Sequence, residues 1–60
     1  MKSNEALKRL LQAGWERESQ KGSHIKLVHK NYKHKIIFPF HGSKEIGTGL
    51  WNKIKKQAGI

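Results

Sequence analysis

The sequence predicts an α+β fold in the order α-β-β-β-α, with a three-stranded antiparallel sheet that carries two helices on one face. Three observations lead to this prediction. Apolar residues recur at helical spacing near both ends of the chain, they alternate with polar residues in the middle, and short turn sequences separate the segments. Sixty residues allow one small core, so residues 1–60 are expected to form one domain.

The first predicted element is a helix that ends before Gly14. Ser3 or Asn4 is expected to cap it, because these side chains accept hydrogen bonds from the free N–H groups of a first turn. Glu5 in that turn favours the same assignment, since it complements the helix dipole. The predicted buried stripe consists of Ala6, Leu7, Leu10 and Leu11.

Two strands are predicted to follow the helix. The first runs over residues 15–19, and a turn over residues 20–23 leads to the second, over residues 24–30. Ile25 and Leu27 alternate with polar residues in the second strand, so they are expected to face the core. The opposite, open face is then predicted to carry His24, Lys26, Val28 and Lys30.

The third strand is predicted over residues 35–40, after a turn over residues 31–33. Pro39 is expected to end it, because proline cannot donate to a strand ladder. A second helix then begins at Thr48 or Gly49 and stops at Gly59. Its apolar side is expected to comprise Leu50, Trp51, Ile54 and Ala58. Three bare strands are unstable in water, so both helices should cover the core face of the sheet.

The charge of the chain indicates a polyanionic ligand. Thirteen Lys and Arg residues stand against four Asp and Glu, for a formal net charge of +9. Such an excess attracts nucleic acid, although lysines that only keep a small protein soluble are the alternative interpretation. The absence of cysteine excludes disulfides and thiolate chemistry. Without an apolar membrane-spanning or signal segment, a cytoplasmic protein with no membrane contact is expected.

His24 is the candidate catalytic residue. An imidazole, with an ordinary pKa of about 6.5, can accept and return a proton near neutral pH, which RNA cleavage requires. Lys21, Lys26 and Lys30 are candidate phosphate contacts. Gly22 and Ser23 lie beside His24 and can approach a phosphate closely, but an incidental surface histidine after an ordinary turn remains the alternative interpretation.

The sequence around the other three histidines gives weaker evidence for a functional role. His41 follows the third strand and is a possible second acid or phosphate contact, or a loop residue with no role. His29 is expected at the edge of the core and His34 in solvent near the turn. The histidine spacings match no zinc signature, and the carboxylates form no cluster, so no metal site and no cofactor are predicted.

These motifs together resemble the HicA-type toxins, the small RNA-cleaving partners of HicB in toxin-antitoxin pairs. The resemblance covers nearly the whole chain. It includes Gly14-Trp15, Gly22-Ser23-His24-Ile25-Lys26-Leu27, Pro39, Ile46-Gly47-Thr48-Gly49-Leu50, Ile54 and Gln57-Ala58-Gly59-Ile60. One departure concerns the proline-histidine pair usual after the third strand, which Phe40 interrupts between Pro39 and His41.

The resemblance implies a double-stranded-RNA-binding-domain-like fold and ribonuclease activity against mRNA that needs no ribosome. It implies that His24 is the catalytic histidine and that a HicB-type antitoxin binds the protein and covers its active site. The free protein is expected to be a monomer.

Two other function classes remain open at this point. A non-catalytic double-stranded-RNA-binding domain would use the same fold, but such domains typically carry a lysine cluster at the start of the second helix. This chain has Gly47-Thr48-Gly49 there, whose backbone N–H groups could instead meet a phosphate or simply begin the helix. A protein-interaction module would bind no nucleic acid in a salt-dependent way.

Overall fold

A computed structural model describes residues 1–60 and has the predicted order of elements. Its elements are α1 (Ser3–Gln12), β1 (Glu16–Lys21), β2 (His24–His29), β3 (Tyr32–Pro39) and α2 (Thr48–Ala58). The strands form one antiparallel sheet in the order β1-β2-β3. The predicted fold class is therefore confirmed. Neither helix has the length and apolar character that crossing a bilayer requires.

Both hairpins are tighter than predicted. β1 extends to Lys21, because Gly22 adopts a φ of +58° and closes a turn of only two residues. The second turn comprises Lys30 and Asn31 rather than residues 31–33, and β3 begins at Tyr32. The side chain of His29 explains this turn, since its Nδ1 accepts the Asn31 N–H at 3.0 Å.

One hydrophobic core lies between the helices and the inner face of the sheet, as predicted. Ile25 and Leu27 of β2 are fully buried and pair with Phe38 and Ile36 of β3. The helices contribute Ala6, Leu7, Leu10, Trp51, Ile54 and Ala58, and Trp15 and Ile46 complete the cluster.

Two leucines predicted in the core lie outside it. Leu11 of α1 is 41% exposed and Leu50 of α2 is 43% exposed. Each lies next to a residue that takes the central position of the stripe, Leu10 in α1 and Trp51 in α2, and successive helix residues point about 100° apart. The helices are too short and the core too small to cover the flanking positions as well.

The start of α1 differs from the prediction. Lys2 occupies the capping position, and its side chain makes no capping hydrogen bond. Backbone carbonyls of the β3–α2 loop accept two of the free N–H groups, Lys44 from Ser3 and Gly42 from Asn4, both at 2.8 Å. Asn4 lies inside the helix, and its Oδ1 accepts the N–H of the next residue, Glu5, at 2.9 Å. The prediction of a Ser3 or Asn4 cap is therefore wrong, because a loop that is distant in sequence supplies the acceptors.

Gly59 ends α2 in the left-handed conformation, with a φ of +74°, as predicted. A Cβ at this position would also collide with the Tyr32 hydroxyl. We expect Gly59→Ala to lower the free energy of unfolding by about 1–2 kcal/mol, measured as a lower urea midpoint at unchanged m-value. Gly49→Ala is the matched control, because Gly49 lies inside α2 with open space around it. The free energy of unfolding of that variant should rise by about 0.5 kcal/mol. Equal urea midpoints for the two variants would contradict the prediction.

Candidate functional site

His24 lies at the start of β2, on the face of the sheet that the helices leave open. It pairs with Lys21 of β1 on one side and with Pro39 of β3 on the other. Directly paired residues of antiparallel strands project on the same face, with Cβ atoms about 5 Å apart. The His24 side chain is exposed and makes no hydrogen bond within the protein. Its ring nitrogens are therefore free to meet a ligand.

The structure gathers most of the predicted site residues around this histidine. Lys21 is its cross-strand partner, Gly22 and Ser23 form the turn that precedes it, and Lys26 lies two residues further along β2 on the same face. Lys26 is half-buried, and its partners are Ser19 and Ile37. We call this surface the His24 end of the sheet; it consists of Lys21, Gly22, Ser23, His24 and Lys26.

Lys30 does not belong to this group. The expectation that it continues the face of β2 is wrong, since β2 ends at His29 and Lys30 lies in the following turn. At about 3.3 Å per residue, six positions along a strand place it roughly 20 Å from His24. The tight turn closed by His29 and Asn31 is the physical reason for the difference.

An ion pair separates the two ends of the open face. The pairing of β1 with β2 shifts between Arg17 and Ser19, which leaves Glu18 as the extra residue of a bulge. Its Oε1 accepts from the Lys35 Nζ at 3.1 Å. This pair between the outer strands neutralises Lys35 and sets a carboxylate beyond Lys26. Lys35 is therefore paired with a carboxylate, whereas Lys21 and Lys26 at the His24 end make no ion pair within the protein.

His41 follows the strand residues that pair with His24 and Ser23. The Phe40 N–H donates to the Ser23 carbonyl at 2.7 Å, which continues the β2–β3 pairing one residue beyond His24 and Pro39. Phe40 packs against the core, and His41 follows it two residues beyond Pro39, the cross-strand partner of His24. The side chain of His41 is exposed.

Sequence reasoning missed the role of Ser3. This residue is 1% exposed and is the only buried polar residue of the chain. Its hydroxyl donates to the Pro39 carbonyl at 3.4 Å and accepts the His41 N–H at 3.1 Å. Ser3 therefore connects the C-terminal end of β3 to the start of α1. Its partners lie more than thirty residues away, so no local pattern signals them.

A shallow pocket of about 110 Å³ opens beside this junction. Its lining residues are Ser3, Pro39, His41, Glu45, Ile46, Gly47 and Leu50. The Glu45 Oε2 accepts from the Met1 ammonium group at 2.8 Å. This hydrogen bond and the charge of the ammonium group hold the pKa of the Glu45 carboxyl below its ordinary value. Glu45 is thus an anion at neutral pH.

The remaining histidines lie at the opposite end of the sheet. His29 is half-buried, as expected, with its Nε2 3.2 Å from the Ala13 carbonyl. His34 is exposed, as expected, but its ring also contacts the protein. Its Nε2 lies 2.7 Å from the Gln57 carbonyl, and its ring centroid is 5.8 Å from that of Trp15. No three His, Asp or Glu side chains form a group that could hold a metal ion.

The order of elements, with both helices on one face of a three-stranded sheet, defines a basic protein of double-stranded-RNA-binding-domain-like fold. A family model described as "HicA toxin of bacterial toxin-antitoxin" matches residues 3–60. The chain belongs to the HicA toxin family, as its motifs predicted.

Two relatives agree with this assignment. A protein of Pseudomonas fluorescens (strain Pf0-1) named "Probable mRNA interferase HicA" is 45% identical over 60 residues, which cover 100% of this chain and 97% of that protein. A chain of the solved "HicA3 and HicB3 toxin-antitoxin complex" superposes with a TM-score of 0.85 at 34% identity. That match covers 100% of this chain and 96% of the other.

Proposed function

We propose that this toxin is an endoribonuclease that cleaves mRNA without a metal ion, with His24 as the catalytic acid or base. The observation that carries the proposal is the exposed, unpartnered imidazole of His24 opposite Lys21 on an open cationic face. The name of the Pseudomonas relative, an mRNA interferase, supports the same substrate.

The proposed reaction transfers the phosphoryl group of the RNA backbone from the 5′-oxygen of the next nucleotide to the neighbouring 2′-oxygen. The 2′-hydroxyl loses its proton and forms a bond to phosphorus, while the bond from phosphorus to the 5′-oxygen breaks and that oxygen gains a proton. A neutral imidazole can accept the first proton, and a protonated one can donate the second. His24 takes one of these roles, and His41, two residues beyond the cross-strand partner of His24, is the candidate for the other.

Lysines of the His24 end supply the charge that this reaction needs. Negative charge grows on the phosphoryl oxygens as the new bond forms, and preorganised cations stabilise it. Lys21 and Lys26, which lie beside His24, are proposed for this role, and Lys30 is proposed to contact a phosphate further along the RNA. The backbone of Gly22 and Ser23 is exposed and can approach the phosphate closely.

The proposed protein partner is a HicB-type antitoxin, and the proposed location is the cytoplasm. The solved complex that this chain resembles pairs a HicA with a HicB chain. The open face offers the antitoxin both positive charge and the Ile37 side chain, which is 52% exposed. An antitoxin that covers this face would block His24 directly.

Incubation of a defined mRNA with the purified protein, in EDTA and without ribosomes, tests the proposed activity. We expect fragments to appear, and we expect the cognate antitoxin to suppress them. Intact RNA together with preferential binding of duplexes would overturn the nuclease and favour the alternative, a non-catalytic double-stranded-RNA-binding domain.

The lysines are tested separately by the salt dependence of RNA binding. We expect Lys21→Ala and Lys26→Ala each to reduce the slope of log Kd against log salt for single-stranded RNA by about 0.7, the value for one lost phosphate contact. Lys53→Ala, which removes an exposed cation from α2, is the matched control and should leave the slope unchanged. Equal slopes for all three variants would contradict the assignment of the His24 end as the phosphate site.

A further inference from the structure

We propose that the pocket between the end of β3 and the start of α2 binds the nucleobase next to the cleaved bond and prefers cytosine to uracil. The inference rests on the proposed function, because it takes the reacting phosphate to lie at His24. The pocket volume of about 110 Å³ is far below that of a site for a drug-sized ligand and suits a single planar base.

The position of the pocket follows from the strand pairing. Pro39 is the cross-strand partner of His24 and also lines the pocket. Paired residues of antiparallel strands have Cα atoms about 5 Å apart. A nucleotide with its phosphate at His24 can therefore place its base against Pro39. His41 lies on the same rim and offers a ring on which an unstacked base can stack.

The pocket is preformed and partly apolar. The Ile46 N–H donates to the Met1 carbonyl at 2.9 Å, and Ser3 holds both Pro39 and His41, so the walls are fixed from two sides. Leu50, left exposed beside the buried Trp51, lines the pocket. An exposed leucine at this position supplies apolar contact for the face of a base.

Glu45 supplies the discrimination between bases. Its Oε2 is occupied by the Met1 ammonium group, which orients the carboxylate, whereas Oε1 makes no hydrogen bond within the protein and the side chain is 70% exposed. A carboxylate accepts a hydrogen bond from the N4 amino group of cytosine. Uracil presents a carbonyl oxygen at the same position, which the carboxylate repels.

Binding of oligocytidine and oligouridine of equal length to the His24→Ala protein tests the pocket without any need for cleavage. We expect oligocytidine to bind about fivefold more tightly, and Glu45→Gln to bring the ratio close to one, because an amide can donate to uracil as well as accept from cytosine. Glu16→Gln, an exposed carboxylate at the start of β1, should leave the ratio unchanged.

Leu50→Ala separates the apolar contact from the discrimination. We expect it to weaken both oligonucleotides about threefold at an unchanged ratio, because the lost contact is to the face of the base. Leu11→Ala removes a leucine of almost equal exposure from α1, away from the pocket, and should change neither affinity.

Equal affinity for the two oligonucleotides, or a ratio that Glu45→Gln does not alter, would overturn the pocket assignment. These outcomes are distinct from a failure of the proposed function. RNA cleavage by the wild-type protein without discrimination removes the pocket and keeps the nuclease, whereas discrimination with no cleavage by the wild type removes the nuclease and keeps only the base preference of the pocket.

Discussion

His24→Ala is expected to lower the rate of RNA cleavage by about 10²- to 10⁴-fold, the usual contribution of one general acid or base. Single-turnover cleavage of an end-labelled RNA measures this directly. The loss should fall on the chemical step rather than on RNA binding, because Lys21 and Lys26 remain in place. The variant should also unfold at the wild-type urea midpoint, since the side chain is exposed and makes no hydrogen bond within the protein.

His34→Ala is the matched control for this variant. His34 is also exposed, but it lies at the other end of the sheet beside the Gln57 carbonyl. We expect it to lose some stability and to cleave RNA at the wild-type rate wherever it is folded. A His24→Ala protein that cleaves within about threefold of the wild-type rate would contradict a proton-transfer role, which is worth far more than that factor.

Trp15→Ala is expected to cause a large loss of stability. Trp15 is 1% exposed, its Nε1 donates to the Ala58 carbonyl at 3.2 Å, and its ring lies 5.1 Å from that of Tyr32. Truncation of a buried tryptophan to alanine costs about 3–5 kcal/mol. Domains of this length have a total stability of about 3–9 kcal/mol. The loss is therefore expected to be at least about a third of the free energy of unfolding and at most all of it, and urea titration followed by circular dichroism measures it.

Trp15→Phe distinguishes the ring from its hydrogen bond. This variant keeps most of the buried apolar volume but leaves the Ala58 carbonyl without the indole donor, which we expect to cost about 1–3 kcal/mol. Cooperative unfolding should survive in it. A Trp15→Ala protein with a midpoint close to that of the wild type would show that this end of the core does not hold the fold together.

The fold could be predicted because local patterns and global packing agree. Ile25 and Leu27 alternate with polar residues, and both pack in the core of the observed sheet. Gly59 follows the last apolar residue of α2 and adopts the left-handed conformation that ends the helix. The cap of α1 could not be predicted, because the acceptors at Gly42 and Lys44 come from a loop some forty residues away.

Only the part of the candidate site that follows from alternation along a strand could be predicted from the sequence. Alternation assigns His24 and Lys26 to the open face, and the structure brings them together with Lys21. Alternation does not show where a strand ends, so the predicted position of Lys30 on the face of β2 was wrong. Contacts between distant segments, such as Ser3 with Pro39 or Met1 with Glu45, leave no local signal. The pocket that these contacts form could not be predicted from the sequence for the same reason.

The chemical nature of the RNA ends formed in EDTA tests the central claim most directly. If the imidazole of His24 promotes attack by the 2′-oxygen, the products carry a 2′,3′-cyclic phosphate, or the monophosphate that follows its hydrolysis, and a 5′-hydroxyl. Mass spectrometry of a short cleaved RNA identifies these ends. Products with a 5′-phosphate and a 3′-hydroxyl, or cleavage that EDTA abolishes, would contradict the account.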